Sequence, residues 1–343
     1  IACQYSNGVY VHRNRSIAGS ILLNASQFYA TGSYPFYASI ADMDSDGRLD
    51  IVVSNYSSNT ISILKNTGTY PGNLFTSSSF NTGVNYTTSS LPLGITIGDL
   101  DGDGNPDIGL GYASTTSMSI FRNTGSYPGN VFTAASLDTR LDITTPSSPR
   151  DVLFADIDND GKPDLIVSNT GSKTFSVFKN TGSSGSISFA TKVDFSTGVS
   201  LGATGISIDD IDGDGKLDIA LTNTSGDYVS IFRNTTTGGS ISFGTRLDMT
   251  SGSQSTTTNT VLSDLDGDGK PDLIVNNRSS NTISVFRNIS TSGSISFASK
   301  VDISVSNPYA VVAGDIDGDG KIDLVTNIGG SSVIVLRNTS TGV

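Results

Sequence analysis

A ring of repeated four-stranded blades, an all-β propeller, is the fold this sequence predicts, and three observations predict it. The pattern D-x-D-x-D-G-x-x-D occurs six times, starting at Asp42, Asp99, Asp156, Asp210, Asp264 and Asp315, at intervals of 57, 57, 54, 54 and 51 residues. Each copy is followed by a strand-like run ending in a basic residue and Asn, as in Ile61 to Asn66, Met118 to Asn123, Phe175 to Asn180, Val229 to Asn234, Ile283 to Asn288 and Val333 to Asn338. The apolar residues between these landmarks recur in short alternating runs, the period of a half-buried strand and not of a helix. Units of this length suit a propeller; β-helix repeats are much shorter, and helical repeats carry a 3.6-residue period.

One unit reads as four strands. A short apolar stretch such as residues 94–98 leads into the Asp loop, and Pro35, Pro92, Pro149 and Pro308 each stand seven residues before a first loop Asp, a strand-start position where a missing N–H is tolerated. A second strand follows the loop (165–168), then the strand ending in Arg/Lys-Asn. A Gly/Ser-rich turn introduces a fourth strand, for which residues 186–194 are the example. A seventh copy of the second and third strands opens the chain, since Ile1 to Asn14 aligns with Ile51 to Asn66 across a two-residue gap. Seven second and third strands but six first and fourth strands are present. A seven-bladed ring with an incomplete first blade is therefore expected, with six blades plus extra N-terminal strands as the alternative. Residues 1–343 are expected to be one domain, with repeat limits near 1–41 (partial), 42–98, 99–155, 156–209, 210–263, 264–314 and 315–343 (partial).

Composition agrees with a helix-poor, oxygen-rich protein. All 32 acidic residues are Asp and none is Glu, against 20 Lys plus Arg, giving a formal charge of −12. Asp favours turns and metal loops where Glu favours helices. This balance argues against nucleic-acid binding, which draws on a basic face. Cys3 is the only cysteine, so an intramolecular disulfide and a thiolate metal cluster are excluded. No apolar run approaches the length of a membrane span, and no signal peptide is read.

The Asp loops point to calcium, a hard cation that takes six to eight oxygens. In each loop the first, third, fifth and ninth residues are the candidate carboxylate ligands, and the seventh is the candidate carbonyl ligand behind a Gly that reverses the chain. The candidates are Asp42, Asp44, Asp46, Arg48 and Asp50; Asp99, Asp101, Asp103, Asn105 and Asp107; Asp156, Asp158, Asp160, Lys162 and Asp164; Asp210, Asp212, Asp214, Lys216 and Asp218; Asp264, Asp266, Asp268, Lys270 and Asp272; and Asp315, Asp317, Asp319, Lys321 and Asp323. Position twelve, Val167 in the third loop, falls in the next strand, so the helix–loop–helix site with Glu at that place is excluded. So many carboxylates in six turns repel one another without a cation, and six calcium ions would neutralise the formal charge of −12. Repetition in every blade assigns the metal a structural role.

Other repeated residues read as architecture. Arg13, Lys65, Arg122, Lys179, Arg233, Arg287 and Arg337 share one position and are expected to pair with local Asp. Phe121, Phe178, Phe232 and Phe286 share another, as do Phe189, Phe243 and Phe297, and both sets are expected to pack between blades. Arg140, Lys192, Arg246 and Lys300, each two residues before an Asp, read as solvated strand faces. The tyrosines that break the repeat, Tyr70, Tyr86, Tyr112, Tyr127 and Tyr228, are the candidates for stacking on a sugar. His12 is the only histidine, no Glu is present and no G-x-S-x-G elbow occurs, so the chain is expected not to be an enzyme.

The repeated Asp motif with its four-stranded unit resembles the FG-GAP/VCBS repeats seen in integrin α-subunit propellers and in many secreted microbial proteins. The resemblance implies seven blades with calcium loops between the first and second strands. It also implies a secreted or cell-surface module for adhesion or ligand binding, with a glycan or a protein as partner. A lectin, a structural element of a surface filament and an accessory domain of a secreted polysaccharide-active enzyme are its variants. No nucleic acid and no membrane insertion are expected, and the segment is expected to belong to a longer chain or assembly. Residues 14–26, 81–90 and 251–259 depart from the repeat and are where specificity is expected.

Overall fold

The computed structural model describes residues 1–68, 76–81, 83–125, 132–133, 135–198, 202–223, 228–252, 257–328 and 332–340. Among these residues the chain forms seven antiparallel sheets in sequence order and no α-helix; one 3-10 turn spans Gln4–Ser6. The protein is a seven-bladed β-propeller. Five blades have four strands, at residues 35–87, 92–144, 149–196, 203–250 and 257–304. Among the described residues, blade 1 (residues 2–30) has no first strand and blade 7 (residues 308–336) no fourth. The six-bladed alternative falls because Ala2–Cys3, Gly8–Val11 and Gln27–Ala30 pair into a sheet of their own, with Ala2 opposite Val9 and Tyr10 opposite Phe28.

Blade 3 shows how the sequence builds one unit. Its first strand, Pro92–Gly98, starts at a proline and shifts register between Pro92 and Ile95 against the second strand, Asp107–Tyr112. The residue before the proline, Leu91, has φ +58°, and its counterparts Tyr34, Ser148 and Asn307 are equally left-handed. The same shift occurs where no proline is present, between Ala203 and Ile206, so it belongs to the entry turn and not to the proline. The third strand, Ser117–Phe121, pairs with the fourth, Leu141–Thr144.

The expected fourth strand needs a correction. In blade 4 the ladder is Val193–Ser196, and residues 186–190 form a back-folded arm held by the bridges Ser183 to Ser186 and Asn180 to Phe189. Gly185, at φ +79°, makes the tight turn that directs the arm back along the Arg/Lys-Asn segment before pairing begins.

Chain contacts divide the molecule into two compact units. One consists of residues 1–13, 25–154 and 162–194, and the other of residues 14–24, 155–161 and 195–343. In each unit the core lies between neighbouring blades. In the first, Val52, Ile61 and Ile63 of blade 2 pack with Ile108, Leu110 and Phe121 of blade 3, and Met118 and Ile120 pack with Leu165, Val167 and Phe178 of blade 4. In the second, Ala220, Val229 and Ile231 of blade 5 pack with Leu273, Val275 and Phe286 of blade 6. The repeated phenylalanines are thus packing residues, as expected.

A polar relay crosses each complete blade within this apolar frame. Asn169 donates to Ser176 Oγ (2.8 Å), and Ser176 donates to Asp194 (2.5 Å), which pairs with Lys192. Asn277, Ser284 and Asp302 repeat it, as do Asn223, Ser230 and Asp248. In blade 3 Tyr112 replaces the Asn and donates to Ser119 (2.7 Å). The Asp residues read as solvated strand faces are therefore also acceptors for a buried serine.

Among the described residues no helix is long and apolar enough to cross a membrane. If the blade-to-blade core carries the fold, Leu110→Ala, at a fully buried position, should destabilise the protein by about 2–5 kcal/mol. Ile40→Ala, at a 62% exposed position, should change stability by less than about 0.5 kcal/mol. Urea unfolding midpoints of the two variants check this; equal midpoints would contradict it.

Candidate metal centres

Each Asp loop is the hairpin between a first and a second strand, and its ninth residue is the first residue of the second strand, as at Asp50, Asp107, Asp164, Asp218, Asp272 and Asp323. The turn is made by the first Asp and the glycine. Asp42 accepts Asp46 N–H (3.0 Å) on one oxygen and Gly47 N–H (2.7 Å) on the other, and Asp99, Asp156, Asp210 and Asp264 accept the same pair in their own loops. Asp315 accepts Gly318 and Gly320 N–H. At the sixth position Gly47, Gly104, Gly161, Gly215, Gly269 and Gly320 all have φ between +83° and +91°, a region costly for any residue with a Cβ. The fifth Asp then takes the N–H of the seventh residue: Arg48, Asn105, Lys216, Lys270 and Lys321 donate to Asp46, Asp103, Asp214, Asp268 and Asp319 at 2.9–3.0 Å.

The ninth Asp is buried and doubly held. Asp107 is fully buried; it accepts Leu100 N–H (3.0 Å) on one oxygen and Asn123 N–H (2.8 Å) on the other. Asp50, Asp218, Asp272 and Asp323 are held in the same way, by Met43 and Asn66, Ile211 and Asn234, Leu265 and Asn288, and Ile316 and Asn338.

These bonds bring carboxylates together. Oxygens of the first, third and ninth Asp lie within 4.8 Å of one another in the sets Asp42, Asp44, Asp50; Asp99, Asp101, Asp107; Asp210, Asp212, Asp218; and Asp264, Asp266, Asp272. In the third loop Asp156, Asp158 and Asp160 belong to one compact unit, while Lys162 and Asp164 belong to the other. The fifth Asp stands outside the converging sets. Its outer oxygen meets the repeated basic residue of the third strand, which also holds the third Asp. Arg233 reaches Asp212 and Asp214 at 2.5 Å each, and Arg337 reaches Asp317 (2.5 Å) and Asp319 (2.6 Å). Arg287 spans Asp266 and Asp268, Arg122 spans Asp101 and Asp103, and Lys65 spans Asp44 and Asp46. The expected pairing with local Asp is present at these five positions.

The electrostatics remain unbalanced. Burial pushes the Asp50 carboxyl up to about 6 and the Asp107 and Asp218 carboxyls up to about 7; backbone N–H donors pull them down and neighbouring loop carboxylates push them further up. Asp272 is raised for the same reason. Asp44 is 2% exposed, and its Oδ1 has no hydrogen-bond partner. A converging set of hard oxygens with an unpartnered buried carboxylate oxygen suits a divalent cation, so these clusters could hold a metal ion.

The loops have a second use that sequence reading missed. The Asn ending six of the seven third strands donates its side-chain N–H to the carbonyl of the second residue in the preceding loop, while Asn66 donates to Leu49 O of its own loop. Asn123 reaches Met43 (2.9 Å), Asn180 reaches Leu100, and Asn234 reaches Ile157. Asn288 reaches Ile211, Asn338 reaches Leu265, and Asn14 reaches Ile316 (2.6 Å). The Gly turn of the following blade also lands on the loop: Gly293 N–H donates to Asp212 (3.1 Å) and Gly19 N–H to Asp317 (3.0 Å). Residues 14–26, expected to carry specificity, thus include a clasp on the last loop. The available signal was the presence of this Asn in all seven copies within one chain.

The tyrosine candidates fare differently. Tyr112 is fully buried in the relay, and Tyr86 donates to Thr133 O (2.6 Å) while packing against Phe121 and Phe132. Tyr228 is half-buried at the start of a third strand, and Tyr70 and Tyr127 lie outside the described residues. His12 is exposed.

If the Asn clasp joins blades, Asn180→Ala, which strips donors from the Leu100 and Pro163 carbonyls, should cost about 1–3 kcal/mol. An unchanged urea midpoint would show that the clasp is dispensable.

Solved structures of the same fold include a candidate 6-phosphogluconolactonase from Bacteroides uniformis ATCC 8492, with a TM-score of 0.62 and 17% identity over 90% of this chain and 82% of that one. Another from Bacteroides fragilis NCTC 9343 has a TM-score of 0.59 and 18% identity over 90% and 84%. The periplasmic gluconolactonase PpgL of Pseudomonas aeruginosa has a TM-score of 0.56 and 14% identity over 96% and 80%. These likenesses show the fold. They also correct the expectation that the chain is not an enzyme: the same ring carries proteins named as lactonases, so a single His and the lack of Glu do not exclude catalysis. No curated protein matches the sequence. The FG-GAP-like repeat profile matches residues 42–110, 156–221, 210–275 and 264–326, which together cover most of the chain. The chain belongs to the FG-GAP-like repeat family.

Proposed function

We propose that the protein is a calcium-stabilised propeller that acts outside the cell as an adhesion or ligand-binding module, with carbohydrate as its ligand class. The observation that carries the reading is the repeated loop in which first, third and ninth carboxylates converge and on which the next blade docks. Calcium fits this donor set better than magnesium, which keeps several waters and demands stricter geometry. The fifth Asp and the carbonyls of Arg48, Asn105, Lys162, Lys216, Lys270 and Lys321 complete the proposed ligand set. The loop sites suit a setting where free calcium is high, since extracellular modules bind it with dissociation constants of about 10⁻⁴–10⁻³ M. An acidic, Asn/Ser/Thr-rich composition with one cysteine is consistent with that setting.

A second reading, hydrolysis of a sugar lactone, is favoured by one observation, the likeness of the ring to structures named as gluconolactonases. An assay for opening of a sugar lactone separates it from the first: turnover by the calcium-loaded protein supports the second reading.

Calcium at a hundredfold excess over its dissociation constant adds about 2.7 kcal/mol per site that is specific to the folded state. The melting temperature should therefore fall sharply in chelator and recover with calcium but less with magnesium. A melt unchanged in chelator would contradict the calcium reading. A glycan array on the loaded protein tests the ligand class, and binding to a defined set of sugars is the expected result.

A further inference from the structure

Four aromatic rings meet at the end of blade 2 away from its Asp loop. The first strand of this blade ends beside the loop, where Ala41 pairs with Asp50, and it begins at the other end, where Pro35 pairs with Asn55. Tyr34 and Phe36 flank Pro35, and Tyr56 follows Asn55. Tyr5 comes from the Gln4–Ser6 turn of blade 1. Ring centroids lie 6.1 Å apart for Tyr5 and Tyr34, 5.7 Å for Tyr34 and Tyr56, and 6.1 Å for Phe36 and Tyr56. Tyr5 is 89% exposed, and the other three are half-buried.

The repeat does not require these rings. Leu91, Ser148 and Asn307 stand where Tyr34 stands; Leu93 and Arg150 replace Phe36, with Tyr309 keeping an aromatic in blade 7; Ala113 and Thr170 replace Tyr56. All four residues of the Tyr34 position are left-handed, with φ from +47° to +58°. The fold thus imposes a conformation that a bulky aromatic adopts at a cost, and such strain gathers where a side chain is used. The platform is held in advance of any ligand. Tyr34 N–H donates to Asn7 Oδ1 (3.0 Å), Tyr56 N–H to Tyr34 O (2.9 Å), Ser57 N–H to Ser33 O (3.1 Å) and Ser33 N–H to Ser58 Oγ (3.0 Å).

Its chemistry selects the ligand. Residues 1–11, 16–41 and 51–64, which supply the rings and their supports, contain no Asp, Glu, Lys, Arg or His, in a chain of formal charge −12. These segments supply no counter-ion, and the charges that reach neighbouring Tyr37, those of Asp151 and Arg150 in blade 4, are of opposite sign. The surroundings offer phenol, hydroxyl and amide groups that both donate and accept hydrogen bonds. A ligand with an apolar C–H face and neutral hydroxyls on its rim matches both properties. From this we propose that Tyr5, Tyr34, Phe36 and Tyr56 form a stacking platform for a neutral pyranose saccharide. The inference rests on the carbohydrate-binding reading above and gives it a site. A proline-rich peptide would also lie on aromatic rings, but it brings few donors to a rim of hydroxyls.

The test uses the calcium-loaded full chain and saturation-transfer-difference NMR. The probes are neutral oligomers of glucose, galactose, mannose and N-acetylglucosamine, with a proline-rich decapeptide as a further probe. The expected result is saturation concentrated on ring C–H protons of at least one saccharide, with Tyr5→Ala and Tyr56→Ala each weakening it about tenfold, a loss of about 1.4 kcal/mol. Tyr5→Ala alters an exposed side chain and keeps the fold, as an unchanged melting temperature would verify. Saccharide binding undiminished in both variants would overturn the platform while leaving the carbohydrate reading in place. No saccharide binding would overturn both, and binding of the peptide alone would overturn the choice of ligand.

Discussion

A buried carboxylate at the start of the second strand in six of the seven blades ties one backbone turn to another, and much of the molecule follows from it. Asp107 takes the amide of Leu100 inside its own loop and the amide of Asn123 at the end of the third strand. One side chain thus fixes the shape of the Asp loop and its position against the blade that carries it. The Asn that gives up its backbone N–H to this Asp sends its side-chain N–H to the loop before, as Asn123 does to Met43. Each loop is therefore held from within its blade and clasped by the next, and a polar chain of contacts runs beside the apolar packing between sheets. Hydrogen bonds of this kind are individually modest, but removing one partner leaves a buried group unsatisfied, and that penalty is what makes the register specific.

The same arrangement concentrates negative charge. Bonding to two amides favours an ionised ninth Asp, yet burial and the neighbouring carboxylates push the other way, leaving Asp107 and Asp218 raised to about 7. The repeated Arg or Lys of the third strand relieves the third and fifth Asp, and it leaves the inner oxygens of the first, third and ninth facing one another. A divalent cation at that point would balance the charge that the side chains leave, which links metal binding to blade docking through shared residues. The aromatic platform lies at the opposite end of its blade, on segments without charged side chains. Scaffold and candidate recognition surface thus draw on different chemistry.

Much of the architecture was legible in the sequence because the chain repeats itself. The spacing of the Asp motif, the prolines at strand starts and the count of seven second and third strands all match the sheets. The fourth strands were placed too early, because an extended arm such as residues 186–190 shows the same alternation as a paired strand. Tyr112 and Tyr86 stand out as sugar-stacking candidates because they interrupt the repeat, but a strand residue can interrupt a repeat by filling the relay or the core instead. The platform was not legible: Tyr34 and Tyr56 are remote in sequence and meet only through the pairing of Pro35 with Asn55, and Tyr5 arrives from another blade. The role of the strand-ending Asn was also missed, since its partner is a backbone carbonyl in the preceding repeat and leaves no mark in residue type.

Hydrogen exchange at the amides of Asn123, Asn180, Asn234 and Asn288, each donated to a ninth Asp, tests most directly whether the loops join the blades and depend on a cation. The account predicts strong protection in calcium and a joint loss of protection, about tenfold or more, when the metal is removed, because each amide reports the opening of its own loop. Equal protection with and without calcium would contradict the account.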